Sequence, residues 1–394
     1  MDFRLSDRVQ RIQPSPTLAV TARAAELREQ GRDVIGLGAG EPDFTTPEPI
    51  RKAAMAAVEA GHTKYTPVDG IAPLKRAVIA KFRKDNRLDY TPEQVMVSCG
   101  GKQVVFNLAL ALLQEGDEAV IPAPYWVSYP DIVKLAGAEP VTIETDDTAG
   151  FKISAHQLER ALTERSRLLV LNSPSNPTGA VYTEGELRAL AEVIRRHPQL
   201  VVLTDDIYEK ILLGALPFAN ILNAAPDLKE RTVVLNGVSK AYAMTGWRIG
   251  YAAGPRELIA AMRKLQSQST SNPAAVSQHA ALAALESGDD LIAPMVQAFR
   301  ERHNFVAEAL NALPYVSCRR AEGAFYVFPS FHEAIRALDL PDDVALATHL
   351  LDEAGVALVP GSAFGAPGYM RLSFATDLDS LRDAMDRLQL ALAG

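Results

Sequence analysis

Cysteine is nearly absent. Cys99 and Cys318 are the only two in 394 residues, and they show no C-x-x-C spacing. Neither a disulfide framework nor a zinc site is indicated. The seven histidines carry no H-x-x-x-H or similar metal spacing. Positive charge is in deficit, with 40 Lys and Arg against 48 Asp and Glu for a net charge of −8, which argues against a nucleic-acid partner. No run approaches the roughly 18 apolar residues of a membrane span. The opening stretch M-D-F-R-L-S-D-R-V-Q lacks the apolar core of a signal peptide. A reduced, cytoplasmic protein is expected.

The apolar fraction of 48% and charged fraction of 22% suit a soluble globular chain long enough for two domains. Strand-like apolar runs stand at 95–98, 118–121, 168–171, 200–204, 232–235 and 247–252. Helical patterns alternate with them, which predicts an α/β fold whose mostly parallel sheet has helices on both faces. In such sheets ligands sit beyond the strand ends. Candidate site residues do cluster there, at 98–101, 122–126, 172–176, 205–208 and 239–240. A helix-like segment, 18–30, precedes this region. After residue 290 the pattern shifts to a long polar helix, strands near 323–328, 356–359 and 369–374, and an Ala-rich helix near 343–354.

The most informative stretch is 236–251, N-G-V-S-K-A-Y-A-M-T-G-W-R-I-G-Y. A lysine at a sheet edge can act as an amine nucleophile toward a carbonyl, and Lys240 is placed to do so. Arg248 offers a planar fork for a phosphate or carboxylate. Pyridoxal 5'-phosphate carries both an aldehyde and a phosphate, so this stretch suits it. The turn Gly100-Gly101-Lys102 leads from a strand into a helix, a ready anion site, although its spacing is not that of a nucleotide P-loop. Asp205 and Asp206 end the run 200–204. A pyridinium nitrogen needs an anionic partner of this kind to stay protonated. Trp126, just past a strand, reads either as core or as a stacking surface for a flat ring, and Tyr129 reads either as site or as packing.

The string S-K-A-Y-A-M-T-G-W-R-I-G-Y resembles the cofactor-lysine signature of class I pyridoxal-phosphate aminotransferases. Ordered motifs extend the similarity over residues 30–375: G-E-P-D-F, K-Y-x-P-x-x-G, P-Y-W, N-P-T-G, D-D-I-Y, G-A-F-Y-V-F, V-P-G-S-A-F-G and M-R-L-S-F. The resemblance implies fold type I of the pyridoxal-phosphate enzymes. It implies a large domain over 46–290, a small α/β domain over 291–394, an arm over 1–45 that joins the small domain, and a homodimer. Lys240 would bond the cofactor and move the proton in ping-pong transamination. Asp205 would pair with the ring nitrogen, Asn176 and Tyr208 with the ring oxygen, and Trp126 would lie against the ring. Arg248, Gly101 and Ser239 would hold the phosphate, joined by Tyr65 reaching into the partner subunit. Gly40 and Arg371 would receive the substrate α-carboxylate. Asp206 departs from the glutamate commoner at its position.

One branch of aspartate aminotransferases places an arginine four residues before S-N-P; here that position is Ser267. The branch of bacterial aspartate and prephenate enzymes has instead a G-G-K-Q lysine and hydroxyls in the arm, which Lys102, Ser15 and Thr17 match. A pocket for an acidic side chain, with Lys102 against the distal carboxylate, is therefore expected, and prephenate as a further acceptor. Aromatic or broad-specificity aminotransferases and lyases share the fold; amino transfer that depends on a keto acid separates these readings from release of pyruvate and ammonia. A cofactor-binding regulator would need a DNA-binding domain, for which the chain has neither spare length nor a basic patch.

Overall fold

The computed structural model describes residues 3–14 and 16–393. In chain order its strands are β1 (Ile35–Gly36), β2 (Val95–Ser98), β3 (Glu118–Pro122), β4 (Glu139–Ile143), β5 (Ser166–Asn172), β6 (Val201–Asp205), β7 (Thr232–Gly237), β8 (Gly250–Ala253), β9 (Tyr326–Val327), β10 (Val356–Ala357), β11 (Val359–Pro360) and β12 (Met370–Ser373). The central sheet has the order β2-β8-β7-β6-β5-β3-β4. All its strands run in one direction except β8, which is antiparallel to both β2 and β7.

The apolar runs form strands because both sheet faces are covered. Along β5, Leu169 and Leu171 point into a core shared with Ile50, Leu74, Leu190 and Ala281. Leu168 and Val170 point the other way, toward Val104, Ile132 and Met262. Alternation places every second side chain on the opposite face, so a strand buried on both sides reads as unbroken hydrophobicity. A second core gathers around β9, β12 and the helices Ala293–Ala312, Asp343–Glu353 and Leu378–Ala393. Phe299, Leu310, Leu350, Leu372 and Leu388 pack there, and Leu37 from the N-terminal stretch joins them. The small sheet β11-β12-β9 lies beside the central one, and β1 pairs in parallel with β10.

Most runs match the strands, with informative differences. The strand expected over 247–252 begins only at Gly250, because Thr245–Trp247 is a 3₁₀ turn and Arg248 is left-handed at φ 56. The single strand expected over 356–359 is two, β10 and β11, with different partners. β4 was not apparent in the sequence; it lies at the sheet edge and buries only Ile143, so E-P-V-T-I carries little hydrophobic signal. The helix after residue 272 begins at Ala275, and Gln278 Nε2 bonds the Pro273 carbonyl at 2.8 Å.

Gly250 fixes how close the turn after β2 comes to the sheet. A Cβ there would lie 2.5 Å from the Gly100 carbonyl carbon, so only glycine lets that turn rest against β8. Gly250→Ala should destabilise the fold by about 2 kcal/mol, the usual cost of overpacking. Urea unfolding measures this, and a midpoint equal to wild type would contradict the close approach.

Candidate active site

The strand ends of the central sheet and the small sheet together wall a cavity of about 420 Å³. Beyond β7, Ser239 and Lys240 reach it. Lys240 Nζ donates to the Gly40 carbonyl at 2.5 Å and lies 5.9 Å from the rings of both Tyr208 and Phe325. Desolvation lowers the Lys240 amine to about 8, and the positive charge of Arg371 acts in the same direction. An amine in that range is partly neutral near physiological pH and hence nucleophilic.

At the end of β6, Asp205 is buried. Its Oδ2 accepts from the Tyr129 hydroxyl at 2.6 Å and its Oδ1 from the Ile207 N–H at 3.2 Å. Burial raises its pKa to about 6, while these two donors and Lys240 pull against the rise. Asp205 is thus still mainly an anion at neutral pH. Asp206 bonds Thr204 Oγ1 at 2.7 Å and Asn220 instead, and burial raises it to about 8. It does not line the cavity.

At the end of β2 the helix Gly101–Leu112 begins, with its first turn at the cavity wall. A Cβ at Gly100 would collide with the Arg248 guanidinium. Arg248 is held over this turn, donating to the Thr245 carbonyl at 2.9 Å and the Cys99 carbonyl at 3.3 Å. A guanidinium beside a positive helix end makes an anion cradle. Lys102 Nζ lies 5.1 Å from the Trp126 ring. Partial desolvation in the cleft and the neighbouring Arg248 charge hold it below the ordinary lysine range.

The opposite wall carries Arg371, on β12 and 2% exposed. Its Nη1 donates to Asn176 Oδ1 at 3.0 Å and its Nη2 to the Gly38 carbonyl at 2.7 Å. Among the described residues its buried Nε has no hydrogen-bond partner. Since the Asn176 oxygen is engaged by Arg371, its amide N–H groups remain as the donors it can turn to a ligand. The Asn176–Pro177 peptide is cis.

The structure thus brings together on one cavity Thr17, Gly40, Gly101, Lys102, Trp126, Asn176, Asp205, Tyr208, Ser239, Lys240, Arg248 and Arg371. Ser15 lies outside the described residues. Tyr65 does not reach this cavity; it is 92% exposed and borders a separate hollow with Thr270, Ser271 and Asn272. Tyr129, which the sequence left open between site and packing, binds Asp205. Asn172 and Tyr326 also line the cavity, though the sequence reading gave neither a role. Asn172 directly follows an apolar run and Tyr326 sits inside the G-A-F-Y-V-F motif, so position relative to a strand end was the usable signal for the first.

Acylation of the cofactor-free protein by an amine-directed reagent, mapped by peptide mass spectrometry, should modify Lys240 with a midpoint near pH 8. The reactive form is the neutral amine, so the rate rises with pH. A midpoint at the ordinary lysine value would contradict desolvation at this site.

Known proteins share both sequence and architecture with this chain. The family model described as aminotransferase class I and II matches residues 32–388. The aspartate/prephenate aminotransferase of Nitrosomonas europaea is 55% identical, covering 99% of this chain and 100% of the relative. An aspartate aminotransferase of Geobacillus stearothermophilus is 49% identical over 98% of both. The crystal structure of an aspartate aminotransferase from Rhizobium meliloti superposes with a TM-score of 0.95 at 44% identity, covering 100% of this chain and 99% of that one. The neighbours share the α/β architecture of fold type I, and the chain belongs to the class I and II aminotransferases.

Proposed function

We propose that this protein is a pyridoxal 5'-phosphate-dependent aspartate aminotransferase, with 2-oxoglutarate and glutamate as the partner pair and prephenate as a further acceptor. The observation that carries the reading is one cavity holding a desolvated lysine, an anionic aspartate, an arginine on a glycine turn and a second, buried arginine. The names borne by the relatives, aspartate and aspartate/prephenate aminotransferase, agree with it.

The residues fit the cofactor. The turn at Gly100, where a Cβ would collide with Arg248, and the helix that starts at Gly101 offer a helix end plus Arg248 for a phosphate, with Ser239 beside it. Asp205 supplies the negative charge a pyridinium nitrogen requires. Trp126 would lie along the ring, while Asn176 and Tyr208 would donate to its oxygen. The group, when bound, supplies an electron sink for the Cα carbanion. Lys240 would anchor it, and its amine would serve as the base and acid that moves the substrate Cα proton. Arg371 forks onto the α-carboxylate beside Gly40 and Asn176. Lys102 and Thr17 would face the distal carboxylate.

The homodimer belongs to the same proposal: Tyr65 is exposed on its own subunit, as suits a residue that completes the partner's phosphate site. So does the division into an arm over 1–45, a large domain over 46–290 and a small domain over 291–394, which the separation of the core around β9 and β12 from the cores on the central sheet supports. Among the described residues no helix is long and apolar enough to cross a membrane, in keeping with the cytoplasmic location proposed.

Two measurements test this reading. Borohydride reduction of the protein loaded with pyridoxal phosphate should label the peptide bearing Lys240, and a label elsewhere would sink it. Lys102→Ala should lower kcat/KM for aspartate roughly 10- to 100-fold, the worth of a charged hydrogen bond, with cofactor affinity little changed. Equal aspartate activity would remove Lys102 from the substrate pocket.

A further inference from the structure

Tyr326 stands between the two halves of the cavity and is assigned no role by the reading above. It lies on β9, buried, and its ring edge meets the Tyr208 ring at a centroid distance of 5.9 Å and 80°. The two hydroxyl oxygens are 2.9 Å apart. On its other side the Arg371 guanidinium covers the ring face at 4.6 Å from the centroid. The strand register explains that stacking. Leu372 pairs with Val327 and Ser373 with Tyr326, so Arg371 is a diagonal neighbour of Tyr326 on the same face of the small sheet.

Hydrogen-bond counting fixes the direction of the Tyr208–Tyr326 contact. A phenol has one proton to donate and lone pairs to accept with. If Tyr208 spends its proton on a ligand oxygen in the cavity, its contact with Tyr326 survives only with Tyr326 as donor. A phenol that accepts a hydrogen bond becomes the stronger donor, because successive bonds polarise one another.

We propose that Tyr326 is a positioning residue for two site groups at once: its hydroxyl donates to the Tyr208 oxygen and holds Tyr208 as a donor into the cavity, while its ring face carries Arg371 in place for the substrate carboxylate. The inference rests on the cofactor reading above. Tyr208 then stabilises negative charge on the cofactor ring oxygen more strongly than an isolated phenol would. That charge helps retain the proton on the nitrogen linking the cofactor to Lys240, so weakening the Tyr208 donor raises the pKa of that nitrogen. The ring face adds a cation–π contact to a guanidinium whose Nε has no hydrogen-bond partner among the described residues.

The two halves separate experimentally in the loaded enzyme. Tyr326→Phe keeps the ring and loses the hydroxyl. The midpoint of the pH-dependent cofactor absorbance should rise by roughly half a pH unit, the worth of a fraction of a hydrogen bond. Affinity for an unreactive dicarboxylate such as maleate, measured below both midpoints, should be unchanged. Tyr326→Leu removes the ring as well, and should weaken maleate roughly 3- to 10-fold; Tyr326→Met replaces it should the leucine variant not fold. The double variant Tyr208→Phe, Tyr326→Phe should titrate like Tyr208→Phe alone, since the second hydroxyl acts only through the first. A normal wild-type titration with an unmoved midpoint in Tyr326→Phe, or a further shift in the double variant, overturns the relay. Wild-type maleate affinity in the ringless variant overturns the support of Arg371. A wild-type protein that shows no titrating absorbance at all defeats the cofactor reading instead.

Discussion

A buried guanidinium needs partners for its donors, and around Arg371 the two Nη groups find theirs in the Asn176 side chain and the Gly38 carbonyl. Arg371 bonds the Asn176 side chain, whose own backbone N–H bonds the Asn172 carbonyl oxygen of the side chain at 2.9 Å; the Asn172 amide then bonds the Asp205 carbonyl at 2.9 Å. One line of hydrogen bonds thereby ties the small sheet to the ends of β5 and β6. Removing a link would strand a buried polar group, which costs more than the bond itself contributes. The cavity exists where it does because these side chains cannot let the two sheets drift apart.

Charge in the cavity is arranged in opposition to burial. Four basic side chains, Lys102, Lys240, Arg248 and Arg371, line a cavity whose buried anion is Asp205, and desolvation works against the charged forms of Lys102, Lys240, Arg371 and Asp205. The consequence is a lysine that releases its proton easily and an aspartate that still holds its charge. Beneath Asp205 the acid Asp206 is turned toward Thr204 and Asn220, and Glu209 is held by Lys81 and Asn86. Shortening the usual glutamate to Asp206 therefore alters this underlying polar layer and leaves the cavity wall as it was.

The parallel strands were legible because burial on both faces leaves no polar interruption, as in 168–171 and 232–235. The edge strand β4 was not, since one exposed face and a proline erase the pattern. Lys240, Arg248 and Asp205 stood out as polar residues at the ends of apolar runs, and the motifs around them identified the family. Tyr129 and Tyr326 were harder: an aromatic within an apolar context looks the same whether its hydroxyl packs idly or binds a partner. The left-handed Arg248 was equally hidden, because its backbone is set by the glycine turn it covers and by nothing in its neighbours. Tyr65 shows a different gap, since it is exposed and takes no part in the cavity of its own chain.

Because β8 runs against its neighbours, it starts where β7 ends. Ser239, Lys240, Thr245 and Arg248 therefore all belong to the short connection of one hairpin, whose register is Asn236 against Tyr251 and Gly237 against Gly250. Slippage by a single residue would invert every side chain along β8, sending Tyr251 out of one core and Ala252 out of the other. The connection is thus intolerant of insertion or deletion, whereas the arm bearing Thr17 touches none of that pairing. Recasting the segment around Thr17 would reshape one wall of the cavity without disturbing the hairpin that carries Lys240 and Arg248.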